Sequence, residues 1–346
     1  MGCEGIFIIQ IETNNKQLNF MGEDSIKTRV IGVDISNERT TYAIVDIRGN
    51  IIAEDGFVTT DYLDINNFVT VLAEKLVEMM EANGGYDKIR SVGISAPSAS
   101  FISGSIINAA NLPWKGEVPL AAMLRDRLGL AVAVANDAHI SALGEHTFGS
   151  AHGMKDFIVI SIGVGLGSCF FSAGHEHQGY HGFAGELGHT CLVEDGRRCG
   201  CGKDGCLEAY VGAKGIVLTA RELMEASDAP SLMRNLEKLT PRTIKECCDQ
   251  GDEMAIEVYR RTGHYFGLGL ANYASIVNPE AIILTGGISH AGNWLLEPTR
   301  EAFDKYVFGN MRGKVKIHIS KLDDRERDVL GASALAWEVP EYSLFK

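Results

Sequence analysis

The chain has 346 residues, of which 45% are hydrophobic and 22% charged, and its formal net charge is −13. That length buries a large core and divides into two lobes, and the acidic balance excludes the clustered Lys and Arg surface that nucleic acids require. No apolar run reaches the roughly 20 residues of a membrane span, and the N-terminal GIFIIQI lacks the basic lead of a signal peptide. A cytoplasmic protein is therefore expected, with its eight cysteines in a reducing compartment where close Cys/His spacing favours a metal over disulfides.

Residues 1–28 fit poorly with the regular patterning of the remaining chain and are read as an N-terminal extension without an assigned role, or as a leader ahead of a true start at Met21. RVIGVDISNERTTYAIVDIRGNIIAEDGFVT then predicts an antiparallel meander of three strands separated by polar or Gly-Asn turns, with Asp34 ending the first. Residues 65–82 carry apolar side chains at helical spacing before an Asn83-Gly84-Gly85 stop. IRSVGISAP reads as a buried strand ending in a loop, a helix follows near 118–128, and AVAVANDAHISALGEH runs a strand into Asn136-Asp137 and an Ala-rich helix. Loops at the carboxyl ends of such strands are where open α/β sheets bind ligands.

The second half begins again with strands, FIVISIGVGLGSCFFSAG forming a hairpin with a Gly-rich bend. Helices are expected around 214–227, 241–250 and 253–276, then the strand AIILTGG, a helix, the strand KVKIHIS and the terminal helix DVLGASALAWE. Both halves open on a β-meander. The duplication predicts two similar α/β lobes with a ligand cleft between them.

Several groups along this frame carry chemistry. Gly163, Gly165 and Gly167 let backbone N–H groups approach an anion, although a tight buried hairpin needs the same glycines. Gly286 and Gly287 form another strand-to-glycine bend, open to the same two readings. Asp34 suits Mg²⁺ held through water, or a turn cap. Asn136 and Asp137 set a hydroxyl-orienting amide beside a proton acceptor; alternatively Asp137 N-caps the helix that follows. The strongest pattern is H-x9-C-x-C-x4-C, in which His189, Cys199, Cys201 and Cys206 supply four tetrahedral Zn²⁺ ligands, with glycines at 200, 202 and 205 to turn the chain. Four ligands close the coordination shell, so the zinc expected here is structural rather than catalytic.

Taken together, GFAGELGH (182–189), CGCGKDGCLE (199–208), GVD, GISAP, NLPWKGEVPL, ND with ALGE, IGVGLG, NPEAIILTGG and GASAL resemble, in this order, the motifs of the ROK family of repressors, open reading frames and kinases. The resemblance covers about residues 29–337. It implies a two-lobed actin/hexokinase-like (ribonuclease H-like) α/β fold of duplicated domains around a central cleft. Residues 29–136 with the C-terminal segment 328–346 would form the small lobe, and 137–327 the large lobe with its zinc loop 189–206. It implies a homodimer that phosphorylates a hexose at the 6-hydroxyl with ATP and Mg²⁺, glucose being the first choice because NLPWKGEVPL looks glucokinase-like, ahead of N-acetylhexosamine, mannose or fructose. Asp137 would be the general base. Asn136, Glu186, His189, Glu208 and the Ser98 loop would contact the sugar; Gly163, Gly165, Gly286 and Gly287 would face the nucleotide, and Asp34 the Mg²⁺.

The departures from the family pattern are as informative. Ser36, Asn37, Glu38 and Arg39 stand where the family's first phosphate loop has Gly, Gly, Thr and Lys. Val164 replaces a Thr in the second, Ser98 replaces a Gly in the sugar loop, and His139 replaces the last Asn of NDAN. They keep open a sugar-binding regulatory protein of weak or no catalysis. A family repressor is disfavoured by the acidic charge and by the mere 28 residues ahead of the first lobe.

Overall fold

The computed structural model describes residues 27–109, 111–180 and 182–339; most of the 1–28 extension, and the segment 340–346 assigned to the small lobe, lie outside them. The meander forms as expected. β1 (Arg29–Ile35) pairs antiparallel with β2 (Arg39–Asp46), which pairs antiparallel with β3 (Ile51–Val58). β1 is buried along most of its length, which is why VIGV is continuously apolar rather than alternating.

Helix α1 (Ile65–Ala82) starts where the Asp64 side chain accepts from the Asn67 amide, and it buries Phe68, Leu72, Leu76 and Met79 at helical spacing. β4 (Ile89–Ser95) then lies parallel to β1. A small sheet of β5 (Ala99–Ser100), β6 (Ser105–Ile107) and β7 (Glu117–Val118) follows; strands of two or three residues are too short to show a period. α2 (Leu120–Leu128), closed by left-handed Gly129, returns the chain to β8 (Ala131–Ala135), parallel to β4. The first sheet thus runs β3-β2-β1-β4-β8.

After α3 (Asp137–Thr147) the arrangement repeats. β9 (Phe157–Ile162), β10 (Leu166–Ser172) and β11 (His175–Glu176) form a second antiparallel meander. Short α4 (Glu208–Val211), α5 (Ala213–Ala226), α6 (Pro241–Asp249) and the long α7 (Glu253–Val277) follow. β12 (Ala281–Thr285), α8 (Asn293–Tyr306), β13 (Lys316–Ile319) and α9 (Asp324–Glu338) complete the fold. The second sheet runs β11-β10-β9-β12-β13. Within each sheet, three antiparallel strands precede two added in parallel on the same side, in the same order. The duplication read from the sequence is present at the level of topology.

The two sheets share a helical layer. Ile140 and Leu143 of α3 and Ala332 and Leu335 of α9 are buried together with Ala133 of the first sheet and Phe157, Val159 and Ile283 of the second. α9 reaches the first sheet only because two of its strands carry glycine at the contact: a Cβ on Gly32 would stand 2.3 Å from the Val329 carbonyl oxygen, and one on Gly93 would stand 2.0 Å from that of Ala332. Gly93→Ala should therefore drive α9 off β4 and destabilise the protein by about 2–3 kcal/mol, the upper range for overpacking. Urea unfolding that leaves the wild-type midpoint unchanged would contradict this seating of the helix.

Candidate functional site

The site is assembled at the carboxyl ends of the parallel strands. β1, β4 and β8 run side by side with Asp34 opposite Ser95 and Ser95 opposite Ala135, so Asp34 and the Asn136-Asp137 pair emerge on one edge. Asn136, and not Asp137, caps α3: its Oδ1 accepts from the His139 amide at 2.8 Å. The alternative in which Asp137 is the N-cap is thereby corrected. Asp137 is the first helical residue, its Oδ1 accepting from the Ala138 amide at 2.9 Å, and its side chain is exposed.

The two acids feel each other. Burial raises the Asp34 carboxyl to about 6, with the charge of Asp137 pushing the same way and the Ser95 hydroxyl and Arg327 pulling it back. Although its side chain is exposed, Asp137 stands between the two lobes, and the loss of surrounding solvent raises its pKa against the backbone N–H bonds that lower it. Two neighbouring carboxyls whose ionisation is disfavoured mark a candidate functional site.

The second sheet brings its glycine bends to the equivalent edge. Thr285 pairs with Ser161 in the parallel register of β12 and β9, so the bends at Gly163 and Gly286 are neighbours. Gly286 has a φ of 82°, and a Cβ there would lie 2.7 Å from the Ile162 carbonyl oxygen, so this bend requires glycine. Gly163 and Gly287 face open space. Beside Gly287 lies a cavity of about 320 Å³ lined by Pro241, Arg242, Lys245, Tyr259 and His290. Its walls come from α6 and α7, some 30 to 50 residues upstream of the bend, and no sequence motif announced it.

His189, Cys199, Cys201 and Cys206 converge, with one ligand atom from each lying within 4.8 Å of the others. The Cys201 and Cys206 sulfurs are 3.7 Å apart and Cys199 Sγ is 3.6 Å from His189 Nδ1. These spacings are far beyond a disulfide and close to the edge of about 3.8 Å of a tetrahedron with 2.3 Å metal–sulfur bonds. The donor set thus fits zinc. Tyr273 of α7 anchors the turn before His189, its hydroxyl bonding the Leu187 carbonyl and Thr190.

The expected sugar contacts divide. A cleft of about 390 Å³ between the lobes is lined by Ser98, Phe101, Asn136, His139, Glu176 and Glu186 among others. Glu186 also approaches His189, with 3.9 Å between its Oε2 and Nε2. Glu208 is turned elsewhere: Oε2 accepts from the Leu166 amide at 2.9 Å and Oε1 stands 3.6 Å from Cys199 Sγ. The carboxylate ties the cysteine loop to the Gly-rich hairpin, and Gly165 must lack a side chain because a Cβ there would lie 2.6 Å from Glu208 Oε2. Phe101, Glu176 and Gln178 were not foreseen; β11, which carries Glu176, is two residues long.

At the first meander's turn the departures acquire a geometry. The Ser36 hydroxyl donates to the Arg39 carbonyl at 2.9 Å, closing a tight turn with Asn37 and Glu38 exposed at its tip. Arg39, at the family's Lys position, donates to the Gly56 carbonyl at 3.0 Å on β3, the outer edge of the sheet and not the edge where Asp137 lies.

With two duplicated α/β lobes joined by a shared helical layer and a cleft at the strands' carboxyl ends, the fold is of the two-lobed actin/hexokinase type. The chain belongs to the ROK family, which it matches over residues 30–339. It is 32% identical to a glucokinase of Halalkalibacterium halodurans over 315 residues, 88% of this chain and 94% of that protein. A crystal structure of a ROK family glucokinase from Streptomyces griseus in complex with glucose and AMPPNP superposes with a TM-score of 0.73 at 30% identity, covering 90% of this chain and all of that one. A xylose repressor of Caldicellulosiruptor bescii is 29% identical over 322 residues, 91% of this chain and 80% of that protein.

Ser98, where the family has glycine, holds a φ of 55°, a left-handed conformation costing a residue with a Cβ about 1–2 kcal/mol. Its carbonyl accepts from the Ile107 amide, so the loop is held by its backbone. Ser98→Gly should raise stability by up to about 1 kcal/mol, the relief of strain being partly offset by the greater freedom of the unfolded chain. A fall in thermal midpoint would show that the Ser98 hydroxyl makes a contact worth more than the strain.

Proposed function

We propose that this protein is a sugar kinase that transfers the γ-phosphoryl of ATP to the 6-hydroxyl of a hexose, glucose being the first substrate to try. The observation that carries the reading is the placement of Asn136 and Asp137 at the carboxyl end of β8, with Asn136 lining a cleft that also holds Glu186 and Asp137 following it, exposed, as the first residue of α3. The glucokinases of H. halodurans and S. griseus support it, the latter having been solved with glucose and AMPPNP. Residues 29–136 with the helix from 328 onward are assigned to the small lobe and 137–327 to the large lobe, and a cytoplasmic homodimer is the proposed assembly.

In this reading Asn136 keeps its Nδ2 for a sugar hydroxyl, its Oδ1 being used by the cap. Asp137 accepts the proton of the 6-hydroxyl as that oxygen forms its bond to the γ-phosphorus and the bond to ADP breaks. A base whose pKa is raised holds that proton more firmly than an ordinary aspartate. Gly163 and Gly287 leave space for phosphate oxygens, and the cavity of Tyr259, Arg242 and Lys245 suits the nucleoside. Asp34 would hold Mg²⁺, which when bound neutralises charge on the phosphates; a half-buried carboxyl facing Asp137 fits a cation. His189 through Nδ1 and the three cysteine thiolates would hold a structural Zn²⁺. Rigid fixing of loop 189–206 then positions Glu186 for the sugar.

A second reading, a sugar-binding regulatory protein of little catalysis, is favoured by one observation: Arg39 is tied to β3 and Glu38 is presented at the turn where phosphates would approach. A coupled assay of ADP release with ATP, Mg²⁺ and a panel of hexoses, run beside calorimetry of the same sugars, separates the two. Asp137→Asn should abolish turnover while sugar affinity stays within about tenfold; retention of most turnover would remove Asp137 as base. Freshly isolated protein should contain about one zinc per chain and unfold when a strong chelator takes it. Folded, metal-free protein would refute the zinc assignment.

A further inference from the structure

His139, on the first turn of α3, lines the interlobe cleft and is only 9% exposed. Its Nδ1 is engaged by Glu176 Oε1, and Phe101 from the other lobe lies nearly parallel to its ring, 15° off and 6.2 Å between centroids. Its Nε2 is buried without a hydrogen-bond partner. A buried orphan nitrogen is destabilising unless something completes it.

Both oxygens of Glu176 are engaged. Oε1 receives the His139 contact and the Cys169 thiol at 3.4 Å, and Oε2 accepts from Gln178 Nε2 at 2.8 Å. These bonds, with the His139 charge, hold its carboxyl below the usual range against the burial that raises it. With three of its acceptor sites used in this way, Glu176 serves first to hold its neighbours in place. It fixes the imidazole with Nδ1 toward the carboxylate, as carboxylate–histidine pairs do. Glu338, on α9, is the other acid whose ionisation feels the His139 charge, but it does not satisfy Nε2.

We propose that His139 is a specificity-determining residue of the sugar cleft, its Nε2 hydrogen-bonding a ring hydroxyl of the hexose, with Glu176 as the positioning residue behind it. This rests on the sugar-kinase reading. A hydroxyl is the group that fits, because it accepts from a protonated Nε2 and donates to an unprotonated one, whereas a carbonyl only accepts. Phe101 of the small lobe lies beside the ring, nearly parallel to it.

The test is calorimetric binding of glucose and its 2-, 3- and 4-deoxy analogues to wild type, His139→Ala, His139→Gln and Glu176→Gln, with thermal midpoints recorded. His139→Ala should weaken glucose by about tenfold or more, the loss expected when a polar group built to meet a substrate hydroxyl is removed. For one deoxy analogue the wild type and the variant should bind alike. His139→Gln, whose amide nitrogen reaches nearly the same place, should recover part of the loss, and Glu176→Gln should weaken recognition of the same hydroxyl. An equal loss against all three deoxy sugars, or no loss at all, would overturn the assignment while leaving the sugar-kinase reading intact. Wild type that binds no sugar would instead overturn the sugar reading itself, and this inference with it.

Discussion

The close approach of α9 to the first sheet is the constraint on which the rest of the structure depends. Two glycines, Gly32 on β1 and Gly93 on β4, leave backbone against backbone at the contact, and a third, Gly331 on α9, does the same toward Ile140 of α3. Removing these side chains brings two helices and two sheets into one layer thick enough to be dry and thin enough to be rigid. The consequence is positional. Asp34 leaves β1 and Asp137 enters α3 within electrostatic reach of each other.

A second coupling runs through Glu208. Its carboxylate joins the Leu166 amide on the hairpin to the cysteine loop, and the hairpin is held again where the Ala213 amide donates to the Gly163 carbonyl at 3.0 Å. The Gly-rich bend is thus fixed from the side of the cysteine cluster, and Gly165 is glycine because a carboxylate occupies the place of its side chain. A metal in the cluster would therefore stiffen the proposed phosphate bend as well as the residues facing the sugar. Removing it would loosen both substrates' sites together.

Much of the fold was legible because its elements are long and strongly patterned. Helix 65–82 announced itself through apolar spacing and an Asn-Gly-Gly stop, and the repeated meander through turns that recur in each half. What escaped were elements too short for periodicity to act on, the β5-β6-β7 sheet and β11, and with β11 went Glu176. The site was legible where chemistry demands a spacing, as in the four zinc-type ligands. It was illegible where geometry assigns the partner: nothing in ND says that the amide caps the helix and leaves the acid to the cleft, and nothing in GCLE says that Glu208 turns toward a backbone amide. The cavity beside Gly287 was out of reach because its walls and its bend are brought together only by the path of α7.

The departures from the family pattern fall unequally on the two sides of the cleft, and the structure gives each a different weight. At Ser98 the backbone keeps the left-handed conformation despite the extra atoms, so the loop's shape survives the substitution and only strain is added. At His139 the new side chain builds something, a fixed imidazole backed by a carboxylate, in place of a simple amide. At Ser36 to Arg39 a tight turn is stabilised by the serine hydroxyl, and the arginine is committed to the far edge of its sheet. At the His139 side of the cleft the polar groups remain satisfied or poised, whereas at the 36–39 turn the cationic side chain is tied to the neighbouring strand. In the proposed kinase, positive charge for the phosphates would then be shared between the lobes: a cation held at Asp34 in the small lobe, and Arg242 and Lys245 beside the large-lobe cavity, each already paired with an acid one helical turn away.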